Sequence, residues 1–245
     1  MRGLMILGQQ IITDDQSDAD PLTCNRTIAG TYIGPDGLLH LGTPLVLRPN
    51  YVLQNGVWVQ NGYLKEAAAT NLVLNSTTVP WSNFKGSSVI TRITDPLGGK
   101  NAVQWHNWDL NSSVSFDLPT IADAGNYTFS IYLQATPYWK SHPQTIQLFG
   151  NAVCDIVDNT SASILVVQNI QSGYSVTLVP LANHWYRICI TGTYTVGTAG
   201  QFSSVYTGPK YQGAELNAAF PQLEAGTTAT SYIPTSGSAV TRTAD

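Results

Sequence analysis

The residues best suited to molecular recognition are aromatic. Trp105-His106-Asn107-Trp108-Asp109 sets two tryptophans three residues apart with polar side chains between them, and Pro137-Tyr138-Trp139-Lys140 adds two rings in loop-like sequence. Sugars bind by laying apolar ring faces on indoles while Asn, Asp and Gln bond their hydroxyls, and ligand sites in general combine apolar walls with a few placed polar groups. Trp105, Trp108, Tyr138 and Trp139 are therefore the candidate ligand platform. The same rings also suit a β-domain core or a seam between subunits, where they contribute large buried area. Trp185 lies inside an alternating segment and reads as core or interface.

Covalent chemistry has less to stand on. The chain has no GxSxG elbow, no GxxxxGK[ST] loop, no HExxH pair and no GxGxxG after a strand. Its histidines, His40, His106, His142 and His184, are scattered. A glycosidase needs two carboxylates about 5–9.5 Å apart. Asp109, Asp117, Asp155, Asp158, Glu215 and Glu224 are the acids available for such a pair, but a chain with 15 acids always offers some pairing. No catalytic residue, cofactor or metal site is assigned, and the expectation is a protein without enzymatic activity. Asp14, Asp15, Asp18 and Asp20 read as a solvated linker, since the spacing of an EF-hand loop is absent. Cys24, Cys154 and Cys189 are odd in number and show no zinc-like spacing, so they form no disulfide framework. Cys154 and Cys189 sit in apolar strand-like runs and read as small buried hydrophobes.

Composition narrows what can position these residues. Only 11% of the 245 residues are charged, under half of the usual ~25%. Thr, Ser, Asn, Gln and Gly take their place, a mixture that disfavours long helices and suits strands and turns. Eleven bases against fifteen acids give a net charge of −4, which argues against a partner held through phosphates. The apolar run Leu4–Leu7 is shorter than a signal-peptide core, and no stretch approaches the ~18 apolar residues of a membrane span. A soluble chain made in a reducing cytoplasm is expected.

Period-two alternation dominates from about residue 76. In Asn126–Gln134, Tyr127, Phe129, Ile131 and Leu133 share one face while Thr128, Ser130 and Gln134 share the other, the pattern of a half-buried strand. Segments 144–149, 163–167, 175–179, 185–195, 202–205 and 218–223 repeat the theme between turn clusters. Many short strands at 8–12-residue spacing predict an all-β fold, an antiparallel β-sandwich of jelly-roll type. Residues 1–75 carry short segments and tight turns, including Asn55-Gly56 and Asn61-Gly62, and form an N-terminal arm and attachment region that must pack on a partner or on the main domain. Lys65–Ala69 is the one helix-favouring run, worth a turn or two. The division expected is 1–75, a sandwich over 76–226, and an extended segment over 227–245.

The C-terminal sequence is recognisable. Gln222-Leu223-Glu224-Ala225-Gly226, then Thr230-Ser231-Tyr232-Ile233-Pro234-Thr235 and Ser238-Ala239-Val240-Thr241-Arg242, resembles a string found in phage tail-fibre and other virion proteins, where it closes a carbohydrate-binding-module-like β-sandwich. Ala69–Leu74, Tyr127–Tyr132 and Trp185-Tyr186-Arg187 resemble other parts of the same module, and Gly30–Gly37 the stretch before it. The resemblance implies a virion structural protein (tail fibre, spike or baseplate component), assembled in the host cytoplasm. It also implies a homo-oligomer, most often a trimer, contacting other virion proteins through residues 1–75 and presenting a host-glycan-binding face. It fixes no sugar-binding residue. A capsid or tail decoration protein that binds no sugar is the alternative, and a polysaccharide-degrading enzyme a more remote one. Nucleic acid and membrane insertion are not expected.

Overall fold

The protein is described from a computed structural model, which places residues 3–6, 9–12, 24–78, 88–107, 112–136, 143–158, 165–206 and 214–245. Asp14, Asp15, Asp18 and Asp20 lie outside these residues. The described part is all-β. In chain order the strands are β1 (Gly3–Ile6), β2 (Gln9–Ile12), β3 (Gly30–Ile33), β4 (Leu39–Gly42), β5 (Arg48–Gln54), β6 (Val57–Lys65), β7 (Ala69–Asn71), β8 (Ser88–Ile93), β9 (Ala102–Asn107), β10 (Ser112–Leu118), β11 (Gly125–Gln134), β12 (Gln144–Leu148), β13 (Asn151–Asp158), β14 (Leu165–Gln168), β15 (Tyr174–Pro180), β16 (Trp185–Tyr194), β17 (Gly200–Tyr206), β18 (Ala214–Ala225) and β19 (Val240–Arg242).

Two sheets face each other. One has five strands in the order β10-β17-β12-β13-β14, the other six in the order β15-β16-β11-β18-β9-β8, and every pairing is antiparallel. The alternation read from the sequence explains the core between them. Phe116, Ile146, Leu148, Ile156 and Phe202 come from the first sheet, and Trp105, Phe129, Ile131, Ile188, Ile190 and Leu223 from the second, all in one buried cluster. Phe116, Phe129 and Phe202 join the two layers through ring stacking, with Phe202 5.2 Å from each of the others. This is the antiparallel β-sandwich the sequence predicts.

The other face of the six-stranded sheet differs from expectation. Thr128, Ser130 and Tyr132, on the polar side of β11, are buried as fully as the core residues. The strand is covered on both sides. A second apolar cluster explains why: Leu39, Tyr132, Leu181, Trp185, Phe220 and Tyr232 pack together on this outer face. Segments 24–78 and 227–245 supply the cover. A bulge in β18 opposite Ile131 helps, because Phe220 at φ 54° turns its ring outward onto Tyr232, 4.7 Å away. The following Pro221 donates no ladder bond, which a bulge tolerates.

Local features of the cover follow from sequence, with two corrections. Asn55 (φ 50°) and Gly56 (φ 81°) close the β5–β6 hairpin, as an Asn-Gly turn should. Asn61-Gly62 is not a turn between strands; it lies within β6, where the β5 register shifts between Pro49 and Tyr51. Lys65–Ala69 is not helical either: Lys65 ends β6 and Ala69 begins β7. The Glu66 carboxylate is instead held in a buried ion cluster with Arg48 and Arg242, tertiary contacts that override a local helix preference.

That cluster ties the cover together. Glu66 Oε2 receives Arg48 Nη2 at 2.8 Å and lies 3.1 Å from Arg242 Nη2, and both its oxygens accept from Ser231 at 2.6 Å. Asp245 accepts from Arg26 Nε at 3.0 Å and Arg48 Nη2 at 2.6 Å. β19 pairs with β7, and Asn71 Nδ2 donates to the Ile233 carbonyl at 2.8 Å. The C-terminal residues singled out by resemblance thus share a structural task. Gln222 Oε1 receives Ile233 N at 2.7 Å, Tyr232 OH meets Ser76 Oγ at 2.9 Å, and Thr235 N donates to Ser76 Oγ at 3.0 Å.

Candidate functional site

Two places on this scaffold are candidates for a binding site. The first is the loop end of the sandwich. β9 ends at Asn107 and β11 at Gln134, and both run antiparallel to β18, so both finish at the same end of their sheet. In the facing sheet, Ser112 and Gln144 both pair with Tyr206, so β10 and β12 restart level with one another. The connections 108–111 and 135–143 therefore leave and re-enter the sandwich at one end. Trp108, Tyr138 and Trp139 lie in those connections and outside the described residues. Trp105 is placed, and differently from expectation: it is 0% exposed, paired across β9 with Leu216 and Ile90, and part of the main core. Its ring presents no face to a ligand. The alternation Val103-Gln104-Trp105-His106 already carried that signal, with Val103 and Trp105 on the buried side.

The second place is a groove on the covered face of the six-stranded sheet, which sequence reasoning did not single out. Its floor is three cross-strand rungs. Ser175, Thr191 and Thr128 form one, Thr177, Cys189 and Ser130 the next, and Val179, Arg187 and Tyr132 the third. Successive rungs sit two residues apart, about 7 Å. Segment 227–231 forms one wall, and Thr31, Asn50 and Leu64 close the Arg187 end. The space divides into a pocket of about 60 Å³ against Arg187 and Tyr132 and a wider part of about 250 Å³ along the threonines. Cys189 and Ala229 line both.

Arg187 is the unusual member. It is 7% exposed and makes no ion pair among the described residues. Its Nη2 donates to Ser130 Oγ at 2.8 Å, its guanidinium lies 5.4 Å over the Tyr132 ring, and its buried Nε has no partner among the described residues. Burial alone would weaken its hold on its proton; Tyr132, Cys189, Glu224 and Glu66 act the other way and keep it charged. Glu224 is fully buried on the same face but spends its carboxylate on Thr230, accepting from the backbone N at 3.0 Å and from the hydroxyl. Burial raises the Glu224 pKa, and the Thr230 bonds and Arg187 only partly offset this.

The other singled-out residues have ordinary roles. Cys154 and Cys189 are buried free thiols, and burial pushes Cys154 up to about 12. His40 bonds Asp36 at 2.9 Å and stacks on Tyr32. Asp155 accepts from Thr145 and Asn169. Glu215 and Glu224 lie nine residues apart on β18, roughly 25–30 Å at the rise of a strand, which is too far for a glycosidic pair. Among the described residues no group of three or more His, Cys, Asp or Glu could hold a metal ion, and no helix is long and apolar enough to cross a membrane.

No protein-family model matches the chain, and no curated protein matches it. Solved structures do. The carbohydrate-binding module CBM6cm-2 of Cellvibrio mixtus lichenase 5A, solved with cellotriose, is 15% identical over 64% of this chain and 97% of that chain, with a TM-score of 0.35. The CBM22-1 xylan-binding domain of Paenibacillus barcinonensis Xyn10C is 11% identical over 65% of this chain and 94% of that one, with a TM-score of 0.37. Both are distant likenesses, and neither module's ligand transfers to this chain by them.

Proposed function

We propose that this chain is a glycan-recognising virion protein whose sandwich holds Trp108, Tyr138 and Trp139 as a stacking platform at its loop end. The observation that carries the platform is the shared register of the flanking strands, with Asn107 level with Gln134 at one end of the sheet and Ser112 level with Gln144 opposite. Two connections with aromatic, polar sequence leaving one end is the arrangement a sugar-binding surface needs, since several rings must converge on one ligand. The virion role rests on the C-terminal string.

Oligomerisation belongs to the same reading. Leu41, Leu45, Val46, Leu53, Val57 and Val59 are exposed apolar side chains gathered in the N-terminal region. Exposed apolar side chains in this number favour a partner, and a trimer built through residues 1–75 would cover them. Weak stacking sites gain adhesion when several copies act together, because linked sites raise effective concentration without new contacts.

The test is binding of the intact protein to a glycan array, repeated with Trp108→Ala and Trp139→Ala. Each substitution is expected to weaken binding by about tenfold or more at an unchanged melting temperature, as loss of about 1.4 kcal/mol of stacking requires. Unchanged binding in both variants would remove the platform. Absence of binding to any glycan or host envelope would leave the decoration-protein reading standing.

A further inference from the structure

We propose that the groove over β15, β16 and β11 is a second site, which takes a saccharide bearing a carboxylate, with the carboxylate on Arg187. The argument begins with an imbalance. An arginine is always protonated, and a buried cation without a carboxylate partner forfeits several kcal/mol of hydration. Elsewhere in this molecule the rule is obeyed, since Arg26, Arg48 and Arg242 all pair with Glu66 or Asp245. Arg187 is buried too, yet among the described residues no carboxylate lies within ion-pair distance of it: it contacts Ser130 Oγ and the Tyr132 ring, and its Nε, like those of Arg48 and Arg242, has no partner there. Guanidinium presents its donors as a planar fork that matches a carboxylate. The adjoining pocket of about 60 Å³ has room for a carboxylate against Arg187.

What the carboxylate is attached to follows from the wider part of the groove. That part, about 250 Å³, is lined by hydroxyl residues on opposite sides, Ser175 and Thr177 from the floor and Thr227 and Thr228 from the wall, while the Thr191 hydroxyl is taken by Thr128 and the Thr227 carbonyl. Ser175, Thr177, Thr227 and Thr228 are exposed. Hydroxyls can donate and accept, so they suit a body that does both. No lysine and no second arginine lines either part, so the site balances one negative charge and not a phosphate chain. A uronic or other sugar acid meets each requirement: one carboxylate, a ring bearing hydroxyls, and an extent near the 7 Å spacing of the rungs.

Calorimetric titration of the full-length protein with glucuronate, galacturonate, glucose, galactose and acetate tests this. A uronate is expected to bind at least about tenfold more tightly than its neutral counterpart and than acetate. A glucuronate-terminated oligosaccharide titrated in parallel shows whether the site takes the free acid or a chain end. Arg187→Gln is expected to bring uronate down to the level of the neutral sugar, and Arg187→Lys, which keeps the charge but loses the fork, to fall between. Because Arg187 is buried, Thr177→Val on the exposed floor provides an independent variant: it should weaken uronate several-fold at an unchanged melting temperature. Trp108→Ala should leave uronate binding intact, which separates this site from the loop platform. Equal binding of uronate and neutral sugar, binding of acetate as tight as of uronate, or no uronate binding at all would overturn the proposal.

Discussion

At the level of single residues, charge placement governs stability. Glu66 is the clearest case. Burial would raise its carboxyl, but Arg48 and Arg242 outweigh burial and hold its pKa below the ordinary 4.5. A depressed folded-state value means the Glu66 contribution is complete above the unfolded pKa and is lost as pH falls through the folded one. Glu224 has the opposite sign: its raised value contributes stability at low pH that is lost as pH rises through it. Glu66→Gln should therefore cost about 3–5 kcal/mol at neutral pH, because two buried arginines lose their carboxylate. It should also flatten the loss of stability below about pH 4.5, and denaturant melts across that range check both effects. Trp105→Ala should cost about 3–5 kcal/mol by leaving a core cavity, read from the same melts. At this scale the sequence was legible where one strand decides the outcome, as for Cys154 in its apolar run. It was not legible for Arg187, which occupies the polar side of Trp185–Ile190. Alternation identifies that side, but nothing local says that segments distant in the chain cover it.

At the level of elements, the same gap recurs and has the same cause. Strands β11, β12, β15 and β16 stand within a residue or two of their expected positions, because period-two alternation and turn residues are local signals. The division of labour among segments is not local. The cover over the six-stranded sheet joins chain positions as far apart as Arg26 and Asp245, through ion pairs between residues whose separation gives no pattern. This interlock has a measurable consequence. Asp245→Ala leaves Arg26 Nε and Arg48 Nη2 without their shared carboxylate. Amide hydrogen exchange should then accelerate in β3 to β6 and in β19, while the centres of β11 and β16, sealed by the main core, stay protected. Uniform acceleration throughout the sandwich would mean that cover and sandwich unfold as one unit. Within the cover, Gly56→Ala should cost about 1 kcal/mol, since the φ of 81° is strained for a residue with a Cβ.

For the whole molecule, the proposed recognition role requires several copies of the sandwich acting together through residues 1–75. The oligomer is open to direct weighing: light scattering at micromolar concentration should give three times the chain mass of 26.4 kDa, and a monomer would remove the role given to residues 1–75. Recognition is the central claim, and one measurement bears on it most directly. The intact oligomer, labelled and applied to a broad glycan array that includes bacterial surface polysaccharides, should bind a defined subset, and multivalent display should strengthen the signal over that of a dissociated chain. A blank array, with the protein folded and oligomeric, would contradict the proposed recognition role and favour the alternative of a sandwich that binds no sugar.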